Sequence, residues 1–206
     1  MVSRRNFIKT SALAGTAGLS GAYSHAMFND VNMTGRSDIP EGWTTTAPRD
    51  EIKPDFNFNP GGGPDNKGSF IIESGRREGL VGRWTKTFPV KGGSYYRLTA
   101  SRRYTGSDPY VPMRRACIAR ISWLNEEGKP TRHDEPSYVS YNPTEKPSVP
   151  VSRPEYPMKE ISLTDGWAEV TDIYHVPSAA AKATVELELR CASQARVEWA
   201  KVSLTE

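Results

Sequence analysis

Apolar residues recur at every second position in one segment after another, and glycine, asparagine or aspartate stands between those segments. Alternate residues of an extended chain share a face. In Cys117-Ile118-Ala119-Arg120-Ile121-Ser122-Trp123 one face therefore carries Cys117, Ala119, Ile121 and Trp123. In Val185-Glu186-Leu187-Glu188-Leu189-Arg190-Cys191 it carries Val185, Leu187, Leu189 and Cys191. Strands are predicted over Ser69 to Ser74, Arg83 to Val90, Tyr95 to Tyr104, Ala116 to Leu124, Glu169 to Val176, Thr184 to Cys191 and Arg196 to Leu204. Gly92-Gly93, Asn125 to Gly128 and Thr164-Asp165-Gly166 punctuate them. The helical alternative at Ser178 to Ala183 is too short to change the class, and Ala179-Ala180-Ala181 is predicted as a turn. Seven strands and a weaker eighth imply an all-β chain folded as an antiparallel sandwich.

Two regions lack the pattern. Residues 27–68 include Gly61-Gly62-Gly63-Pro64 and are expected to wrap the sandwich as an irregular arm. Residues 130–159 carry Pro130, Pro136, Pro143, Pro147, Pro150, Pro154 and Pro157. Such a density cannot lie in a central ladder, because proline has no N–H to donate, so a long stiffened loop is predicted. The rest of the sandwich is assigned to 69–206. Cys117 and Cys191 have no metal or redox spacing; both are expected to face apolar neighbours as thiols, with a disulfide as the alternative.

The N-terminus, residues 1–26, is of another kind. Ser3-Arg4-Arg5-Asn6-Phe7-Ile8-Lys9 leads into an uncharged stretch with Gly15, Gly18 and Gly21, residues that weaken an ordinary helix. This segment resembles a twin-arginine signal, with Arg4 and Arg5 as the recognised pair and cleavage after Ala22 or Ala26. The resemblance implies export by the Tat translocase to a periplasmic or extracellular location. Loss of Arg4, Arg5 and Lys9 with the signal brings the 27 Lys+Arg residues level with the 24 Asp+Glu. A neutral mature chain lacks the basic stripe of a nucleic-acid binder and the basic amphipathic helix of a membrane-surface protein. No later segment reaches the roughly 20 apolar residues of a membrane span.

Three further segments occur in order: Trp84-Thr85-Lys86-Thr87-Phe88-Pro89-Val90-Lys91-Gly92-Gly93-Ser94-Tyr95-Tyr96-Arg97-Leu98, Ile121-Ser122-Trp123-Leu124-Asn125-Glu126-Glu127-Gly128, and Gly166-Trp167 ahead of Val176-Pro177-Ser178-Ala179. Together they resemble the successive strands of galactose-binding-like jelly-roll modules, a class that includes carbohydrate-binding families. The resemblance implies a jelly-roll sandwich and a glycan or other extracellular ligand. Glu41-Gly42-Trp43 followed by Ala47-Pro48-Arg49-Asp50-Glu51-Ile52-Lys53-Pro54 resembles the N-terminal region of exported bacterial carbon-nitrogen hydrolases. That likeness implies an accessory domain whose partner is a nitrilase-like catalytic domain, expected to begin about where this sequence ends. Cys117 cannot serve as that family's nucleophile, since it falls inside an alternating strand without the surrounding motif. Many galactose-binding-like modules hold calcium with an acidic pair in the last strand; here Trp199-Ala200-Lys201-Val202 stands in that place. Lysine is no ligand for a hard cation, so neither metal nor cofactor is expected.

No G-x-S-x-G elbow, H-E-x-x-H pair or P-loop occurs, and no catalytic residue is assigned. His133-Asp134-Glu135 reads as a solvated loop. Sugars present apolar C–H faces ringed by hydroxyls, which match aromatic platforms edged by polar groups. Trp84, Trp123, Trp167 and Trp199 lie in strands and are expected to be buried. Tyr104, Tyr110, Tyr138 and Tyr141 fall at strand ends or in loops with Arg102, Arg103, Arg114, Arg115, Asp134 and Glu135 nearby. The expected ligand rim is Tyr104, Tyr110, Arg114, Asp134, Tyr138 and Tyr141, where the segments 104–115 and 130–159 meet. The alternative makes these tyrosines staples of the loop against proline; a separate alternative for the whole chain is a structural domain that docks on another protein.

Overall fold

The computed structural model describes residues 39–106, 111–135 and 149–206. Ten strands run in chain order: β1 (Thr44–Thr46), β2 (Asp55–Asn59), β3 (Ser69–Glu73), β4 (Val81–Pro89), β5 (Tyr95–Gly106), β6 (Cys117–Leu124), β7 (Lys159–Ser162), β8 (Trp167–His175), β9 (Lys182–Arg190) and β10 (Ala195–Thr205). A single helical turn, α1 (Met113–Ala116), precedes β6, and a 3-10 turn spans Asp50–Ile52. The strands form a four-stranded sheet in the order β1-β4-β9-β6 and a six-stranded sheet in the order β2-β3-β10-β5-β8-β7. Every neighbouring pair is antiparallel. This is an all-β jelly-roll sandwich. Among the described residues no helix is long and apolar enough to cross a membrane.

Alternation builds the core. Trp84, Leu187, Ala119 and their rows on β4, β9 and β6 meet Phe70, Ile72, Leu98, Val170, Val197 and Trp199 from the six-stranded sheet. Trp84 crosses the gap, its Nε1 donating to the Ile71 carbonyl at 3.1 Å and its ring lying 5.2 Å from Phe70. At the other end Trp123 meets Tyr174 edge-on at 6.2 Å. All four expected tryptophans are buried. Trp167 reaches that state on the outer face instead, beneath the Arg103 guanidinium at 4.9 Å.

The structure corrects the sequence reading in two places. The stretch 39–68 is not merely an irregular arm, because β1 and β2 close one edge of each sheet. β1 is Thr-Thr-Thr and carries no polarity alternation, while β2 has only Phe56 and Phe58 as apolar residues. Those rings settle at 5.7 Å from Trp84 and 5.2 Å from Phe70. The second correction is Cys191. β9 ends at Arg190 and the backbone turns to φ 57° at Cys191, so its side chain leaves the core face and is exposed. Cys117 is buried, and both thiols are free.

Candidate functional site

β6 and β7 are the last strands of their sheets. Between them the sandwich opens into a cavity of about 480 Å³. Its deepest polar group is Arg102. The inward row of β5 runs Leu98, Ala100, Arg102, and the first two are fully buried in the core. Arg102 continues that row where the core gives way, and it is 5% exposed. Its Nη1 donates to the Cys117 carbonyl at the start of β6, and Nη2 donates to Glu160 Oε2 at 2.7 Å. Register explains the second contact: Glu160 lies opposite Val170, and Val170 opposite Ala100, so β7 turns its carboxylate to the same face.

The roof is the segment 155–158. Glu155 and Ile121 exchange backbone hydrogen bonds of 2.8 and 2.9 Å, and Trp123 Nε1 donates to Glu155 Oε1 at 2.5 Å. On the far side the Met158 N–H donates to Asp172 Oδ2 at 3.1 Å. Pro154 and Pro157 fix φ on either side of Tyr156. The roof is thus tied to both sheets. Tyr156 and Met158 line the cavity and are 44% and 84% exposed. Ile118, Ala119 and Val170 supply apolar wall, and Arg114 and Arg190 enter from α1 and the end of β9.

Cys117 also lines this space, and its thiol is buried. Burial pushes its pKa up to about 12, against the opposing pull of the Arg102 charge. A thiol held protonated is no nucleophile. Among the described residues Glu160 is the one carboxylate lining the cavity. Among the described residues no group of three or more His, Cys, Asp or Glu side chains converges as metal ligands would.

Outside the cavity, the exposed face of β4, β9 and β6 carries a second polar cluster. Arg83 Nη1 donates to Glu186 at 2.8 Å, Arg120 Nε donates to the other Glu186 oxygen, and Glu188 stands 3.5 Å from Arg83 and 3.6 Å from Arg190. Burial favours the protonated Glu186 carboxyl, but the hydrogen bonds from Arg120 and Arg83 outweigh it and hold its pKa below the ordinary value. Tyr156 stands beside Arg120 and favours its charged form. These charges spend themselves on one another.

Of the residues expected at a ligand rim, Arg114 lines the cavity beside Tyr156, Pro157 and Met158. Asp134 does not: its carboxylate accepts the Ser178 N–H at 2.9 and 3.1 Å and fixes the turn after β8. Tyr104 follows Arg102 on the same face of β5 and packs partly buried against the core. Tyr110, Tyr138 and Tyr141, like Arg4 and Arg5, lie outside the described residues. Sequence reasoning missed Tyr156, Glu160 and Arg190 and gave Arg102 only a supporting part. The available signal was an arginine at an inward position of β5 and a tyrosine bracketed by prolines.

No family model matches this chain, and no curated protein does. Among solved structures it is similar to the enzymatically active domain of tailspike protein 4 from bacteriophage CBA120, with 14% identity over 80% of this chain and 19% of that one and a TM-score of 0.51. It is also similar to the CBM22-1–GH10 modules of Clostridium thermocellum xylanase 10B, at 14% identity over 80% of this chain and 26% of that one, TM-score 0.47. A family 16 carbohydrate binding module aligns at 14% identity over 81% of this chain and 92% of its own, TM-score 0.49. The chain therefore spans 19% and 26% of the first two proteins' lengths. The likeness to the tailspike domain, at this identity, is one of fold alone, an antiparallel β-sandwich.

Proposed function

We propose that this domain is a non-catalytic carbohydrate-binding module and that its sugar seat is the cavity under Tyr156. The observation that carries the reading is the cavity itself. At about 480 Å³ it is the size of small-ligand sites, which run from about 300 to 1,000 Å³. Tyr156, Met158 and Val170 offer surface for the C–H faces of a sugar ring, while Arg102, Arg114, Arg190 and Glu160 offer charged hydrogen-bonding groups for its hydroxyls. The roof is anchored at both ends, so little conformational entropy is lost on binding. Isothermal titration and NMR shift mapping with an oligosaccharide panel test this. A binding sugar should perturb residues around Tyr156, and Tyr156→Ala should weaken it by about 1 kcal/mol through lost ring contact. Absence of any sugar binding, or shifts confined to another face, would overturn it. The sequence assignment of Tyr110, Tyr138 and Tyr141 to the rim is tested by alanine variants in the same assay.

The Arg4-Arg5 resemblance supports export through the Tat translocase. Arg4→Lys with Arg5→Lys should leave the precursor inside the cell, because lysine does not reproduce the paired guanidinium groups. The Glu41 to Pro54 resemblance supports a place beside a carbon-nitrogen hydrolase domain, which reading the coding DNA past codon 206 would reveal.

A further inference from the structure

Resting on the reading of the cavity as a sugar seat, we propose that the sugar it selects is acidic, a uronic acid residue whose carboxylate is taken by Arg102 and Arg114. Among the described residues the lining holds three arginines against one carboxylate. Arg190 has a counter-charge in Glu188 at 3.6 Å, and Arg102 has one in Glu160 at 2.7 Å. Arg114 pairs with no carboxylate among the described residues. Among the described residues the cavity therefore carries more positive than negative charge.

Arg102 adds a second argument. Two of its nitrogens are engaged, but Nε is buried and has no acceptor among the described residues. A buried donor without an acceptor is unfavourable, and one on a cation more so. A neutral sugar entering the cavity would strip water from the exposed Arg114 guanidinium and return only hydroxyl contacts beside the buried charge of Arg102. A carboxylate returns the missing charge and offers two oxygens that suit the planar donor set of arginine. The apolar walls at Val170 and Ile118 lower the local dielectric and so strengthen that pairing.

The experiment measures affinity of the full chain for oligomers of galacturonate, glucuronate and mannuronate, each beside its carboxyl-reduced neutral counterpart, at low and raised salt. At least one acid oligomer should bind about tenfold or more tightly than its neutral form, the size expected of one hydrogen bond to a charged group, and salt should narrow the gap. Arg114→Gln, on the exposed helical turn, should remove most of that preference, weakening the acid form far more than its neutral counterpart. Glu160→Gln should sharpen the preference by removing the cavity's own carboxylate. If neutral forms bind as well as the acids, the acidic assignment falls and the sugar seat stands. If no oligomer of either kind binds, the sugar seat falls with it. If the acid preference survives Arg114→Gln and Arg102→Gln unchanged, the charge is sensed elsewhere and the proposal is wrong.

Discussion

Replacing Arg102 by methionine separates the two contacts that hold the cavity's buried cation. The long unbranched side chain keeps most of the stem's packing, so the principal loss is the hydrogen bond from Nη1 to the carbonyl of Cys117, a residue at 0% exposure. Depriving a buried carbonyl of a donor costs roughly 1–3 kcal/mol. Removing a buried guanidinium also relieves its desolvation, which offsets part of that. The net is about 1–2 kcal/mol. Glu160, by contrast, is 40% exposed on the edge strand β7 and water can solvate it when its partner is gone. Glu160→Gln still leaves an oxygen to accept from Nη2, and exposed ion pairs contribute only about 0–1 kcal/mol. For a domain of this size each 1 kcal/mol moves the melting temperature by about 2–4 °C. Arg102→Met should therefore lower Tm by about 3–6 °C, while Glu160→Gln stays within about 2 °C of the parent, followed by tryptophan fluorescence on heating. Equal losses in the two variants would show that the ion pair, not the carbonyl contact, secures Arg102. No loss in Arg102→Met would refute both.

Glu186 and Glu198 are held below their ordinary pKa of 4.5 because hydrogen bonds from Arg120 and Arg83, and from Arg103 and Ser69, outweigh the effect of burial. In acid the unfolded chain then binds more protons than the folded one, so stability present above about pH 4.5 is lost as pH falls through the folded values; Tm followed down the pH scale should show the loss, and Glu186→Gln should flatten it. A thiol reagent should modify Cys191 in the native protein and Cys117 only after denaturation, since Cys191 is exposed while Cys117 is buried with a pKa of about 12; two equal rates would contradict the cavity's description. Gly82→Ala should destabilise by about 1–3 kcal/mol as overpacking does, because the added Cβ would stand 2.5 Å from Pro54 and 2.6 Å from Phe56. A urea titration that left the Gly82→Ala midpoint unchanged would mean that β2 and Pro54 are not packed on β4.

The class of fold and most of its strands are written in the pattern of residues alone. Seven strands were legible because alternation is the imprint of a sheet with one buried face: the row Cys117, Ala119, Ile121, Trp123 states its own burial, and the structure keeps it. β1, β2 and β7 were not legible. Thr-Thr-Thr and Lys-Glu-Ile-Ser bury no side chain and owe their form to pairing with β4 and β8. Cys191 misled for a related reason, since the alternation continued one residue past the point where the backbone turned away. The cavity belonged to tertiary structure altogether. Arg102, Arg114, Tyr156, Glu160 and Arg190 are scattered along the chain, and no local pattern links them. They meet because the two sheets place β6 and β7 at the same open end, and because the Glu155 and Met158 contacts draw the proline-rich segment across it. In Ser101-Arg102-Arg103 the two arginines look alike in sequence. Strand alternation sends Arg103 outward over Trp167 and Arg102 inward to the cavity, and only the packing of the second sheet makes that inward position a buried one.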